Sequence, residues 1–142
     1  MLQTNKMIPE KSLVIAVDFD GTIVESAYPK IGKPIIFAFD TLKALKKDGH
    51  RLILWTYRSG KLLQEAVDFC KKNGVEFYAV NSSFEGEKID KKISRKILAD
   101  IFIDDRNIGG LPDWGKIYHL ISDGKPLGEP PTKKGFFSFL KP

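Results

Sequence analysis

The chain has 142 residues, 42% of them hydrophobic and 29% charged, with a formal net charge of +5. That length supports one domain around one buried core and is too short for two. No apolar run approaches the roughly 18 residues of a membrane span, the opening MLQTNKMIPEKS has no signal-like apolar stretch, and the single cysteine, Cys70, excludes an internal disulfide, so a soluble, cytoplasmic protein is expected.

The positive charge sits mainly at the ends. Residues 124–142 carry Lys125, Lys133, Lys134 and Lys141 against Glu129, and residues 1–11 carry Lys6 and Lys11 against Glu10, which leaves the body close to neutral. The chain therefore divides into an N-terminal extension (1–11), a domain-sized body (12–123) and a basic, Pro- and Gly-rich tail (124–142). Such a tail more often aids solubility than binds nucleic acid. Its FFSFL patch could dock on the body or on a second subunit.

Leu13 to Val17 is a continuous apolar, β-branched run, the pattern of a strand covered on both faces. Pro34 opens a helical pattern that places Ile35, Ala38, Phe39, Leu42 and Leu45 on one face, with Gly49 as its stop. Leu52 to Trp55 reads as a second buried strand. A helix follows from near Gly60, with Leu63, Ala66, Val67 and Cys70 sharing a face and Asn73-Gly74 ending it. Phe77 to Val80 is a shorter strand. Ile89, Ile93 and Ile97 stand at helical spacing, so a short helix is predicted over Asp90 to Ile97. Ala99 to Ile103 is a fourth buried strand, and Trp114, Ile117, Tyr118 and Ile121 mark a closing helix. Strands alternating with helices predict an α/β fold: a single Rossmann-like three-layer domain with a mainly parallel central sheet.

Ligand sites in such sheets lie at the carboxyl ends of the strands. Here the first strand ends in Asp18-Phe19-Asp20-Gly21-Thr22, the second in Thr56-Tyr57-Arg58 and the fourth in Asp104-Asp105-Arg106. A parallel sheet brings these segments to one edge. At least three carboxylates would then crowd a small volume, which costs free energy unless a cation neutralises them. A hard divalent ion such as Mg2+ suits oxygen ligands and keeps positions open for water or phosphate. In Asp-x-Asp, one carboxylate can attack phosphorus while the other moves a proton. Thr56 offers a hydroxyl and a backbone N–H to phosphate oxygens, and a lysine would supply charge to the transferring group.

DFDGT after a buried strand, a second hydrophobic strand ending in Thr, a downstream lysine and a strand ending in Asp-Asp together resemble the haloacid dehalogenase-like superfamily, over about Leu13 to Ile121. The resemblance implies a phosphohydrolase. It makes Asp18 the nucleophile and a metal ligand, and Asp20 the general acid/base, with its backbone carbonyl a second ligand. It makes Thr56 the phosphate-binding threonine and Asp104 and Asp105 the acidic pair. By family analogy Asp105 ligates the metal directly and Asp104 supports it. The matching lysine is Lys96, with Lys92 one turn earlier as the alternative and a substrate-binding candidate. Arg58 could bind a substrate phosphate or carboxylate bidentately, as could Arg106 beside the acidic pair. His50, His119 and Cys70 read as packing or surface residues.

Relatives of that kind often gain specificity from an inserted cap domain. The only room here is a flap around SAYPKIGKP and an equally short stretch before Ile93, so no cap domain is expected. The expected substrate is a small phosphorylated metabolite. The alternatives are a phosphorylated nucleic-acid end, suggested by the open site and basic tail, and a non-catalytic module that binds phosphate or a partner on the same fold. No membrane partner is expected, and a homo-oligomer could supply the lid.

Overall fold

A computed structural model describes residues 12–88 and 90–122. The N-terminal extension, the tail with its FFSFL patch, and Ile89 lie outside the described residues.

Four strands form one all-parallel sheet in the order β3-β2-β1-β4: β1 (Val14–Val17), β2 (Arg51–Leu54), β3 (Ala79–Val80) and β4 (Ile101–Ile103). The helices are α1 (Ala38–Lys47), α2 (Gly60–Lys72) and α3 (Trp114–Ile121). This is the α/β fold with a parallel sheet that the strand and helix pattern predicts. Strand register is tied by Val14 opposite Arg51 and Ile15 opposite Ile101. The backbone N–H of Asp18 donates to the Ile103 carbonyl at 3.0 Å, which carries the pairing one residue beyond β1.

The two faces of the sheet are covered differently. Ile15, Val17, Leu52, Leu54 and Ile103 point into a core with Ala38, Leu42 and Leu45 of α1, Ala66 and Cys70 of α2, and Trp114 and Ile117 of α3. The alternate residues Ala16, Ile53 and Ala79 face a smaller cluster closed by Ile97, with Ala99 and Phe102 at its margin. Topology explains this. Right-handed crossovers that step from β1 to β2 to β3 put α1 and α2 on one face, and the return from β3 to β4 runs the other way and must use the opposite face.

That return segment corrects the predicted helix over Asp90 to Ile97, because residues 90–100 form turns and irregular chain. Lys88, Lys91, Lys92, Arg95 and Lys96 would place like charges at i,i+4 spacing, which opposes a short helix. Of the apolar spacers, Ile97 is buried and Ile93 is largely exposed. The third layer is therefore an irregular strap anchored by Ile97.

Helix α1 starts at Ala38, later than the Pro34 start read from the pattern. Pro34 bridges to Val24 and the Ile35 N–H donates to the Ile23 carbonyl at 2.8 Å, so this stretch is used to close the base of a flap, residues 25–33. Phe37 then takes a left-handed conformation, φ 66°, at the helix entrance. The flap is too short for a domain. No described helix is long and apolar enough to cross a membrane.

Candidate active site

The strand order reverses between β1 and β4: β1 connects away to one side and β4 arrives on the other. A crevice forms beyond the carboxyl ends of two such strands. Here it receives Asp18 from β1 and Asp104 and Asp105 from β4. Each of the three offers a carboxylate oxygen within 4.8 Å of the others, and all are half-buried. Residues separated by most of the domain thus meet as the strand-end pattern predicts.

Two short side chains make the approach feasible. Gly21 has φ +84°, and a Cβ there would stand 2.4 Å from Asp105 Oδ2, so any other residue would displace that carboxylate. Thr22, fully buried, links the loops: its hydroxyl donates to Asp18 Oδ2 at 2.9 Å and accepts from the Asp105 N–H at 3.0 Å. The Thr22 carbonyl accepts in turn from Trp114 Nε1 at 2.9 Å, which anchors the loop to α3. Thr22 has no role in the sequence reading beyond its place in DFDGT; its position next to the glycine is the only local sign of its function.

Asp18 registers the crowding. Its carboxyl is pushed up from 3.8 to about 7, first by burial and then by the charge of Asp104, against the opposing pull of the Thr22 and Phe19 hydrogen bonds.

Asp20 lies beside this trio but is managed otherwise. Arg58 Nε donates to Asp20 Oδ2 and Nη2 to Oδ1, each at 2.8 Å, a bidentate pair. Arg58 is 1% exposed; its Nη2 also donates to the Lys30 carbonyl and Nη1 to the Leu62 carbonyl. Its guanidinium packs over Phe19 at 5.1 Å and Tyr28 at 5.3 Å. The side chain read as a substrate ligand is thus held inside the protein, where it orients Asp20 and ties down the flap. Asp20 lines the crevice, but its side chain stands outside the three-carboxylate cluster.

Thr56 also lines the crevice. Its backbone N–H, expected to face phosphate, donates instead to Asn81 Oδ1 at 2.8 Å. Asn81, at the end of β3 with φ 52°, braces the Thr56 loop. The Thr56 hydroxyl accepts from the Arg58 N–H at 3.1 Å and keeps its own proton to donate.

The two candidate lysines do not reach the crevice. Lys92 and Lys96 are exposed on the strap, and Lys96 Nζ lies 5.9 Å from the Phe102 ring. They are displaced because the segment carrying them crosses the far face of the sheet. Arg106 is the exposed cation that lines the crevice among the described residues, together with Ser26, Tyr28, Trp55 and Tyr57. The cavity measures about 620 Å³. His50 is structural, its Nδ1 accepting from the Leu13 N–H at 3.1 Å. Cys70 is buried, and burial pushes its thiol up to about 12.

No family model matches the chain and no curated protein matches it. Among solved structures, it is similar to a conserved protein from Bacteroides thetaiotaomicron, at 55% identity with a TM-score of 0.76, over 81% of this chain and 93% of that one. This chain and that conserved protein belong to one family.

Proposed function

We propose that this protein is a Mg2+-dependent phosphomonoesterase that works through an aspartyl-phosphate on Asp18. The observation that carries the reading is the convergence of Asp18, Asp104 and Asp105 within 4.8 Å with no ion pair to any of them among the described residues, while the adjacent Asp20 has Arg58. Three carboxylates so placed are an all-oxygen donor set, the kind a small hard cation takes while keeping other positions for water and phosphate. The Gly21 cradle that makes room for Asp105 supports the same fit. Bound there, the ion would neutralise the cluster and draw charge from the phosphate oxygens.

The chain's own groups then account for the chemistry. One Asp18 oxygen attacks phosphorus as the ester P–O bond breaks. Thr22 holds the other oxygen and so sets the direction of attack. The leaving oxygen takes a proton from Asp20. Water next attacks the phosphorus of the acyl phosphate, Asp20 takes back a proton, and inorganic phosphate leaves with Asp18 restored. Both Asp20 oxygens accept from Arg58 at rest, so before this step Asp20 must release at least one of these bonds and take up a proton from water. The Thr56 hydroxyl donates to a phosphate oxygen. Arg106 supplies the positive charge expected of a lysine. A cytoplasmic location agrees with the buried, unpaired Cys70.

Turnover of p-nitrophenyl phosphate with Mg2+ tests the reading. Chelation should abolish it, and Asp18→Asn should lower it by about a thousandfold or more. A wild-type protein inactive on a broad phosphate-ester panel, or an active Asp18→Asn variant, would contradict it.

A further inference from the structure

We infer that Tyr28, Trp55 and Tyr57 form a stacking subsite that selects phosphate monoesters whose leaving group carries a planar ring; this rests on the phosphohydrolase reading. All three line the crevice that holds Asp18. Tyr57 follows Thr56 directly and leaves 90% of its surface to solvent. A tyrosine so exposed at the mouth of a concave site offers an apolar face with a wet hydroxyl edge, which suits a ring that is partly polar.

Tyr28 enters from the flap. Its ring meets that of Tyr57 edge to face, 6.3 Å between centroids at 66°, and still leaves 49% of its own surface open. Its position is fixed from behind. The Arg58 guanidinium lies 5.3 Å from the ring and is itself held by Asp20, Lys30 and Leu62. One wall of the subsite is therefore backed by Arg58, and the other, Tyr57, stands open to solvent. Half-buried Trp55 adds a third aromatic surface at the end of β2. A cavity of about 620 Å³ holds a phosphate and a ring together. A short polyol phosphate would use none of this aromatic surface.

Two ligand classes share that chemistry, nucleoside phosphates and aryl phosphates. A nucleoside 5′-monophosphate and glycerol 3-phosphate form a fair pair, because both leave as alkyl oxygens of similar reactivity. Phenyl phosphate brings the ring one bond from the ester oxygen. With Mg2+, kcat/KM for the nucleoside monophosphate should exceed that for glycerol 3-phosphate by about tenfold or more, the scale of one aromatic stacking contact. Tyr57→Ala should remove most of this preference and leave glycerol 3-phosphate within about twofold, while Tyr57→Phe keeps it. A nucleoside monophosphate better than phenyl phosphate in binding assigns the ring a distance of a ribose from phosphorus; the reverse assigns it direct contact.

Hydrolysis by the wild-type protein, set beside calorimetric binding to the Asp18→Asn variant at a Mg2+ concentration high enough to saturate it, separates the two levels of the argument. If no ester is hydrolysed yet the ring ligands bind at least about tenfold tighter than glycerol 3-phosphate, the phosphohydrolase reading fails and the subsite stands. If esters are hydrolysed but ring and polyol phosphates bind alike, or glucose 6-phosphate binds better than both, or Tyr57→Ala weakens all ligands equally, the subsite is overturned.

Discussion

Two arrangements of carboxylates share one crevice. Asp20 has its countercharge built in: both oxygens sit on Arg58, and the pair is covered on the protein side, with the arginine side chain fully buried and that of Asp20 18% exposed. Asp18, Asp104 and Asp105 come within 4.8 Å of one another, and Asp18 accepts from the Thr22 hydroxyl and Asp104 from the Arg106 N–H, but among the described residues no ion pair neutralises them. The contrast teaches that folding could have neutralised the second group as it did the first. Within the described residues the trio has no such built-in cation, and burial first, then the charge of Asp104, push the Asp18 carboxyl up to about 7.

The comparison can be broken from either side. Removing Arg58 strips a buried ion pair of one partner and should destabilise the protein by about 3–5 kcal/mol in denaturant unfolding, because Asp20 is left uncompensated. A loss below about 1 kcal/mol, as for an exposed pair, would show that Asp20 does not depend on the arginine.

The trio should respond with the opposite sign. In chelator at pH 8, Asp18→Asn should stabilise the protein by about 2 kcal/mol, a figure already halved for the solvent access of a half-buried group. The sign follows from proton linkage. Folding raises the Asp18 value from 3.8 to about 7, so its stabilising protonated form is fully present below about pH 4 and is lost as pH rises through 7. The gain from Asp18→Asn should therefore shrink at pH 5, where the wild-type carboxyl is mostly protonated. A gain that is equal at both pH values would point to packing instead.

The smallest effect concerns the cation beside the trio. Arg106→Ala should lower kcat/KM for a phosphate ester by about tenfold, worth about 1.4 kcal/mol, whereas Lys96→Ala and Lys92→Ala should leave it within about twofold. Reversed sensitivities would return the role to the strap lysines.

Much of this was legible in the chain. Apart from Arg51 at the start of β2, the strands are apolar runs, and carboxylates immediately follow two of them, so parallel topology alone brings Asp18 to Asp104 and Asp105. Helices α2 and α3 were legible for a similar reason, since their apolar faces and stops are local. What was not legible depends on partners distant in sequence. Nothing near Arg58 shows that it will be buried against Asp20, and nothing near Thr56 shows that Asn81 will occupy its N–H. The strap was misread because isoleucine spacing outweighed a row of like charges in the reading but not in the fold. That error carried Lys96 and Lys92 into a site they do not line.

The most direct test of an externally neutralised trio is calorimetric titration of Mg2+ at pH 8 into the wild-type protein, Asp18→Asn, Asp105→Asn and Asp20→Asn. One ion per chain should bind the wild type. Asp18→Asn and Asp105→Asn should weaken it by about a hundredfold, and Asp20→Asn should change it far less, since that side chain answers to Arg58. Below pH 7 the wild-type affinity should fall by about tenfold per unit, as the ion must displace the Asp18 proton. No binding to the wild type, or equal binding to all four proteins, would contradict the account.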